Sequence, residues 1–525
     1  MSGAGGLVVA RRMTTARLVG SALALFGLLA APAVVLAHGL SPVYESPLPL
    51  AVYLVGAGAT VALSFAFVLL RDLRAGEIPP GRLVRVPAPL RWLLRAIGLL
   101  GWIWIVAQGA AGGTSDASVA TLFLWIYGWV GIAAISALIG PVWEWLDPFA
   151  TIHDLLAAAF RAVGVRGWAP SELPAAFRIW PAVASLGFFI WLELVAIAGI
   201  STLTTVLIGY TVLSLALMAQ FGRDEWRMHG ETFTVWFRTL NRLAPFGYVA
   251  ADTRVAPIGT PASAVAEAPG LRAAEVVNVD EPDGIDPGHV VRRPFAIGLF
   301  DAEWSTPRIV LVALGTGSIM FDGLSQTVPF ATIFGAPTLF PKTLLLFGFL
   351  GIITGLALLV AREVSPNAIG AGLLPIAVGY LVAHYLTYIF YDGQRIAIAV
   401  SDPLQQGSDL FGTAFYQVTT FMPPGLVWTV QLASVVGGHM LGAWAGHVSA
   451  SRDAEARARA KEPRDLRHRR IRGFQPARLV NVRMREVPLA VVMVMLTTLT
   501  LWSLGQAIVQ QTPAAATTSV VASRQ

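Results

Sequence analysis

The feature that most limits the possible folds is a series of apolar runs, each about 20 residues long, that recurs along the whole chain. A helix of this length crosses the hydrocarbon core of a bilayer. Inside lipid, only helices and closed barrels satisfy every backbone hydrogen bond. The runs lie at 50–70, 94–110, 118–140, 179–199, 203–221, 308–325, 342–361, 367–391, 425–449 and 487–510. The sequence therefore predicts an all-α fold, a polytopic transmembrane helical bundle.

The first 37 residues have the pattern of a secretory leader. Arg11, Arg12 and Arg17 precede an apolar run that ends in the letters VLA, directly before His38. A basic segment, an apolar segment and a small-x-small site in this order are typical of a signal peptide. Cleavage would leave His38 as the mature amino terminus, and about ten spans would follow it; an uncleaved first helix is the alternative and gives about eleven.

Clusters of basic residues orient the predicted spans. Arg and Lys are concentrated in the loops at 71–95, 223–242 and 450–486. The positive-inside rule places such loops in the cytoplasm. With ten spans after residue 38, successive loops alternate between the two sides of the membrane. All three basic loops then lie in the cytoplasm, provided that His38 and the C-terminal tail both lie outside. The net charge of +6 is therefore a topology signal and does not indicate a nucleic-acid partner; the predicted partner is the lipid bilayer.

The remaining segments complete the predicted organisation. The bundle occupies residues 38–250 and 301–510, separated by a cytoplasmic loop of low order at 251–300 that is rich in Pro, Ala, Val and acidic residues without a helical period. The tail at 511–525 is predicted to be disordered. Two Asp-Pro pairs, at 147–148 and 402–403, each predict the start of a surface helix, because Asp caps a helix and Pro suits its first turn.

The amino-acid composition excludes several kinds of site for this chain. Charged residues make up only 13% of the chain and hydrophobic residues 55%, which a soluble protein of this length would not show. The chain has no cysteine. Disulfides, thiolate metal sites and a cysteine nucleophile are therefore excluded.

One apolar run carries a polar stripe. Within residues 375–395, the stripe consists of Tyr380, His384, Tyr388, Tyr391 and Asp392. At about 100° per residue, these positions fall within roughly a third of the helix circumference. Polar groups inside a membrane helix are costly unless they face a cavity or a partner, so the stripe predicts a functional site.

Other spans bring acidic residues to the same predicted level of the membrane. Glu193 and Asp322 lie, like His384 and Asp392, in the outer halves of their spans. This asymmetry predicts a cavity that opens outward. Two plainer explanations stay open, since a membrane histidine often forms a hydrogen bond between helices and the Asp-Gly pairs at 322–323 and 392–393 also suit turns.

Imidazole and carboxylate groups together predict a metal site, with copper or zinc as the metal. A cleaved amino-terminal histidine offers its amine and its imidazole to one ion, which favours copper. The predicted metal ligands are His384, Asp392, His38 and His439. Asp322 is the predicted general base or a further ligand, and Glu193 is predicted to support the catalytic groups.

Several segments together resemble a known family. These are AHGL at 37–40, GWVGIAAISALIGPVWEWLDPF at 128–149, WLELV at 191–195, FDGLSQ at 321–326, AHYLTYIFYDGQ at 383–394 and SDPLQQGSDLFGTA at 401–414. They are similar to bacterial polytopic membrane proteins called fenitrothion hydrolases, over nearly the whole chain except 251–300 and the tail. The resemblance implies the bacterial cytoplasmic membrane as location. It also implies cleavage of an aryl phosphotriester or phosphorothioate, a small apolar substrate, at phosphorus.

A function of another class is the alternative. A copper or other metal transporter, or a metal-handling membrane protein, would also place histidines at several depths. His439 and His447, eight residues apart on one predicted span, would then continue a path inward from the outer site. The metal ion would be cargo in this case, and transport would need both histidines on the cavity side.

Overall fold

The computed structural model describes residues 81–112, 118–165, 170–196, 199–249, 255–256, 288–300, 304–460 and 487–505, together with positions 56, 58, 59 and 63. The described chain is mostly helical. Its helices are α1 Ala88–Ala110, α2 Val119–Leu138, α3 Trp143–Leu146, α4 Pro148–Ala162, α5 Trp180–Ala196, α6 Ile200–Phe221, α7 Arg223–His229, α8 Thr232–Leu240, α9 Thr306–Ser325, α10 Val328–Phe334, α11 Leu339–Glu363, α12 Pro366–Tyr391, α13 Ile396–Ser401, α14 Pro424–Ala460 and α15 Val487–Leu504.

Eight of these helices are long and apolar enough to cross a membrane. They are α1, α2, α6, α9, α11, α12 with its continuation to Ser401, α14 and α15. Each matches one of the ten predicted runs, so the helical, multi-pass character of the chain is confirmed. The run at 179–199 corresponds to the shorter apolar helix α5. Most of the run at 50–70, and all of the predicted signal segment with His38, lie outside the described residues.

Helix α12 is the central helix of the bundle. Along most of its length it is buried, and it packs against α14 through small residues on both helices. A Cβ atom at Gly438 would lie only 2.6 Å from the carbonyl oxygen of Pro375, and one at Gly379 would overlap the backbone of Ser434. The two backbones are therefore in direct contact, as small residues allow in membrane helix pairs. This contact fixes the helix that carries His384.

A small sheet, not expected from the sequence, marks one end of the bundle. Its strands are β1 Gly81–Arg85, β2 Phe246–Gly247, β3 Val255–Ala256 and β4 His289–Arg292, in the spatial order β2-β4-β1-β3. Strand β1 pairs antiparallel with β4 and parallel with β3. Strands β3 and β4 both lie within the segment 251–300 that was predicted to be of low order, most of which is outside the described residues. We call this end of the molecule the sheet end.

Helices α9 and α12 both begin at the sheet end. The side-chain oxygen of Asn367 accepts a hydrogen bond from the backbone N–H of Trp304, and its amide donates to Asp453 on α14. These contacts join the starts of α9 and α12 to the last part of α14. The end of α9 and the last third of α12 therefore lie at the opposite end of the bundle, which we call the site end.

The sheet end also contains a buried ion network. Arg227 is 2% exposed, and its guanidinium donates to Asp147 at 2.8 Å and to Glu144 at 3.1 Å. Arg238 donates to Glu144 as well. Burial alone would raise the pKa of Glu144, but the guanidinium groups of Arg227 and Arg238 outweigh it and lower the pKa to about 2. The carboxylate of Glu144 is therefore ionised at neutral pH.

The two Asp-Pro pairs lead to different structures. Asp147 caps α4 as predicted, because its carboxylate accepts hydrogen bonds from two backbone N–H groups at the start of that helix. The second helix prediction is wrong, since the chain after Asp402 forms turns and bends up to residue 423. The carboxylate of Asp402 accepts from the N–H groups of Gln406 and Gly407. Positive φ angles at Gly407 and Gly412 then stop a helix from forming.

Candidate functional site

A histidine and an aspartate from two helices meet at the site end. His384 Nε2 on α12 lies 3.0 Å from Oδ2 of Asp322 on α9. The same carboxylate accepts a hydrogen bond from the hydroxyl of Tyr385 at 3.1 Å and one from the side-chain amide of Gln326 at 2.7 Å. Asp322 is therefore held by three donors, which fix its position and leave it little freedom to take another partner.

The imidazole of His384 keeps one nitrogen for other chemistry. No described residue forms a hydrogen bond with its Nδ1, and the side chain is 14% exposed. With an Nε2–H donating to the carboxylate of Asp322, the lone pair of Nδ1 is free to accept a proton or bind a metal. The Asp322–His384 pair is thus a histidine oriented by a carboxylate.

Gly323 lets a second polar group approach this pair. A Cβ atom at Gly323 would lie 2.6 Å from the hydroxyl oxygen of Tyr380, 2.9 Å from that of Ser503 and 3.3 Å from Cε1 of His384. Helices α9, α12 and α15 therefore meet at the Cα atom of Gly323. Any larger residue there would push the two hydroxyls away from the imidazole.

A free carboxyl group lies near the pair, on a distorted helix. Glu193 belongs to the π-helical segment Leu192–Ala196 at the end of α5. Such segments are rare and are frequent at functional sites. Glu193 is half-buried, forms no hydrogen bond or ion pair with any described residue, and is within electrostatic range of Asp322 and Tyr385. It is the one acidic group of the cluster whose oxygens are uncommitted within the described chain.

Helix α11 contributes a cation to the same region. The indole N–H of Trp191, just before the π-helical segment, donates to the hydroxyl of Thr343 at 3.0 Å. The neighbouring Lys342 is within electrostatic range of Asp322. Carboxyl groups nevertheless outnumber cationic groups in the cluster, so no surplus of positive charge is present there to hold an anionic ligand.

Two of the predicted site residues lie apart from this cluster. Asp392 follows His384 by eight residues, about 12 Å along a helix axis, and forms an ion pair with Arg395 at 3.1 Å. His439 is fully buried in α14, where its Nδ1 donates to the carbonyl of Val435 at 2.8 Å. No contact of either side chain with the Asp322–His384 pair is present in the described chain. Among the predicted residues that the structure describes, Asp322 and His384 are joined by a hydrogen bond, and Glu193 lies within electrostatic range of Asp322.

The described side chains offer few donors to a metal ion. Among the described residues, no group of three or more His, Asp or Glu side chains is arranged to hold a metal ion. His384 Nδ1 and Glu193 are the two donors of the cluster that could serve, whereas a zinc site usually has three or four protein ligands. His38, a predicted ligand, lies outside the described residues. The predicted copper or zinc therefore stays a prediction.

Some groups of the site gave no signal in the sequence. Tyr385 lies next to the stripe, not on it, and Ser503 sits in an apolar run with no polar period. Lys342 stands at the start of its run, where an anchor at the membrane surface is the usual explanation. Their roles become visible only because α11, α12 and α15 converge on α9.

The apolar helices and the Asp322–His384 pair at their site end define the class, a multi-pass helical membrane protein with a polar site inside the bundle. No protein-family model, curated protein or solved structure matches the chain. The resemblance to the fenitrothion hydrolases therefore stays an expectation from the sequence motifs.

Proposed function

We propose that the protein is a membrane hydrolase that cleaves neutral aryl phosphotriesters, with the Asp322–His384 pair as its general base. The observation that carries the proposal is the orientation of His384 by the carboxylate of Asp322, which leaves Nδ1 without a partner in the described chain. A histidine held in this way is the usual arrangement for taking a proton from an attacking nucleophile.

The reaction uses one water molecule per ester. Nδ1 of His384 takes a proton from the water while the water oxygen forms a bond to phosphorus. The bond between phosphorus and the aryl oxygen breaks, and the aryloxide leaves with the bonding electron pair. The imidazolium then gives its proton to the aryloxide, so that the products are a dialkyl phosphate and a phenol. Asp322 stabilises the imidazolium between these two transfers.

The charge of the site favours a neutral substrate. It has no surplus of positive charge to hold the charged oxygens of phosphate monoesters and diesters. A triester has no negative charge, and its apolar substituents allow it to partition into the bilayer. The position of the site at the end of a membrane bundle is consistent with a substrate that arrives through lipid.

A divalent metal would change the role of His384 but not the reaction class. Bound copper or zinc would supply a Lewis acid and a more acidic water. His384 Nδ1 and Glu193 would be its ligands, and Asp322 would orient the imidazole, as carboxylates commonly do for metal-bound histidines. His38 is the candidate for a further ligand. With a metal bound, Asp322 would have a supporting role and Glu193 would be a ligand, the reverse of the sequence-based expectation.

Turnover by the purified protein tests the proposal. In detergent, the protein is expected to release nitrophenol from fenitrothion or from its oxygen analogue, above the rate of micelles without protein. Elemental analysis of the same sample identifies any bound metal, and assays with added zinc, with added copper and with a chelator show whether it is needed. A folded, monodisperse protein that gives no turnover under any of these conditions would exclude the hydrolase.

One observation favours the alternative, transport or handling of a metal ion. Nε2 of His439 is buried and has no partner in the described chain, so a neutral imidazole offers a lone pair in the middle of the bundle. In a transporter, replacement of His439 by alanine would lower copper uptake and cellular copper content. Uptake equal to that of the unmodified protein would reject transport through this residue.

We also propose that the sheet end faces the cytoplasm and the site end faces outward, with both termini outside. The described parts of the basic loops, 81–95, 223–242 and 450–460, adjoin the sheet end, as the positive-inside rule requires. Because the chain has no cysteine, a single cysteine in place of the exposed Phe415, in the loop at the site end, reports the orientation directly. Labelling of intact cells by a membrane-impermeant maleimide is expected. Labelling only after lysis would show that the site end faces the cytoplasm instead.

A further inference from the structure

Two buried hydroxyl groups next to His384 lack adequate partners. Tyr380 is fully buried and Ser503 is 6% exposed. Their oxygens approach each other beside Gly323 closely enough to interact, and neither hydroxyl has any other partner among the described residues. Even if one donated to the other, one of the two O–H groups would still have no acceptor. The other buried hydroxyls of α15, on Thr497 and Thr500, donate to carbonyls of their own helix.

An unsatisfied buried hydroxyl lowers the stability of a protein, and most such groups in folded proteins have a partner. The Tyr380 and Ser503 hydroxyls therefore point to an acceptor that is supplied from outside the chain. Cε1 of His384 borders the same Gly323 surface as the two hydroxyls. The acceptor would thus lie beside the group that activates the nucleophile.

We infer that the hydroxyls of Tyr380 and Ser503 bind the phosphoryl oxygen of the substrate. This inference rests on the proposed function, because it assigns a subsite of the same reaction. Both donors are neutral, so they suit an oxygen that is uncharged in the substrate and gains negative charge as water adds to phosphorus. Fixed donors aimed at such an oxygen are among the largest contributions to catalysis of this type. A fixed anion would instead call for a cation, which neither Tyr380 nor Ser503 provides.

The inference defines the substrate class more closely than the resemblance does. Divalent sulfur accepts hydrogen bonds only weakly compared with oxygen. The hydroxyl pair should therefore assist attack on a P=O triester and give little assistance to attack on its P=S analogue. The preferred substrate is then the phosphoryl ester, and a thiophosphoryl ester such as fenitrothion is a poorer one.

The test compares two esters that differ only in P=O and P=S, in four forms of the protein. These are the unmodified protein, Tyr380→Phe, Ser503→Ala and a control, Thr497→Val, which removes a buried hydroxyl from α15 at a point where it bonds only its own helix. The ratio of kcat for the P=O ester to kcat for the P=S ester is measured, alongside the same ratio for hydroxide in buffer.

In the unmodified protein the ratio should exceed the ratio for hydroxide. Tyr380→Phe and Ser503→Ala should each lower kcat for the P=O ester by about 10²-fold, with much less loss for the P=S ester, so that the ratio falls towards that of hydroxide. Thr497→Val should leave the ratio unchanged. Melting temperatures in detergent show which variants are folded. If Tyr380→Phe is not folded, the result for Ser503→Ala, which is the smaller change, decides the test.

Two other outcomes overturn the inference and are distinguishable from each other. If kcat falls equally for both esters, or does not fall, in a folded Ser503→Ala protein, the hydroxyl subsite is rejected and the proposed hydrolase activity is not affected. If the unmodified, folded protein turns over neither ester, both the proposed hydrolase activity and the subsite are rejected.

Discussion

Replacement of His384 by alanine is expected to lower kcat for phosphotriester hydrolysis by about 10³-fold, within the range that general bases contribute. The substitution removes the proton acceptor and leaves Asp322 with the donors Tyr385 and Gln326, so the carboxylate stays satisfied and the fold should persist. The measurement is the initial rate of nitrophenol release by the purified variant, with its melting temperature as evidence of folding.

A matched control separates the chemistry from a general effect of losing a histidine. His229 lies at the sheet end, beside Glu225 and far from the site, and His229→Ala should keep the full rate. Imidazole added to the His384→Ala protein should restore part of the lost rate, because a small base can enter the space left by the side chain. A His384→Ala protein with an unchanged rate would show that the residue takes no part in the reaction.

Replacement of Arg227 by alanine is expected to destabilise the protein by about 3–5 kcal/mol, the usual cost of removing one partner of a buried ion pair. The substitution would leave Asp147 fully buried without its cation and would take one of two guanidinium partners from Glu144. The loss would also disturb the cap of α4. Thermal unfolding in detergent, followed by circular dichroism, measures the effect.

Arg223 provides the comparison within the same helix, α7. Its ion pair with Asp154 is at least a fifth exposed on both sides, and such pairs contribute about 0–1 kcal/mol. Arg223→Ala should therefore change the melting temperature only slightly. If the two variants unfold at the same temperature, burial is not what gives the Arg227 network its stability.

Much of the fold could be predicted from the sequence, because length and apolarity alone identify a membrane helix. The surface segments were harder, as the two Asp-Pro pairs show. Asp147 is followed by good helix formers and caps α4, whereas the chain after Asp402 reaches Gly407 and Gly412, where positive φ angles end any helix. The sheet was missed because its strands are two to five residues long and lie far apart in sequence.

The site was predictable only in part. The polar stripe on α12 and the acid at the end of α9 led to His384 and Asp322, since both follow from the helical period. The approach of Ser503 did not follow, because it depends on how separate helices are rotated and placed. The π-helical segment around Glu193 adds a further difficulty, since a wider turn shifts every later residue from the face that a regular period assigns to it.

The backbone contact between α12 and α14 also limits how the molecule can change shape. Where two main chains touch through glycines, no side chains remain between them to repack, so these helices must move as one rigid body. An aryl ester that enters the proposed site from lipid would then have to pass between other pairs of helices. Helices α5 and α11, which the Trp191–Thr343 hydrogen bond joins two residues before Glu193, are one such pair.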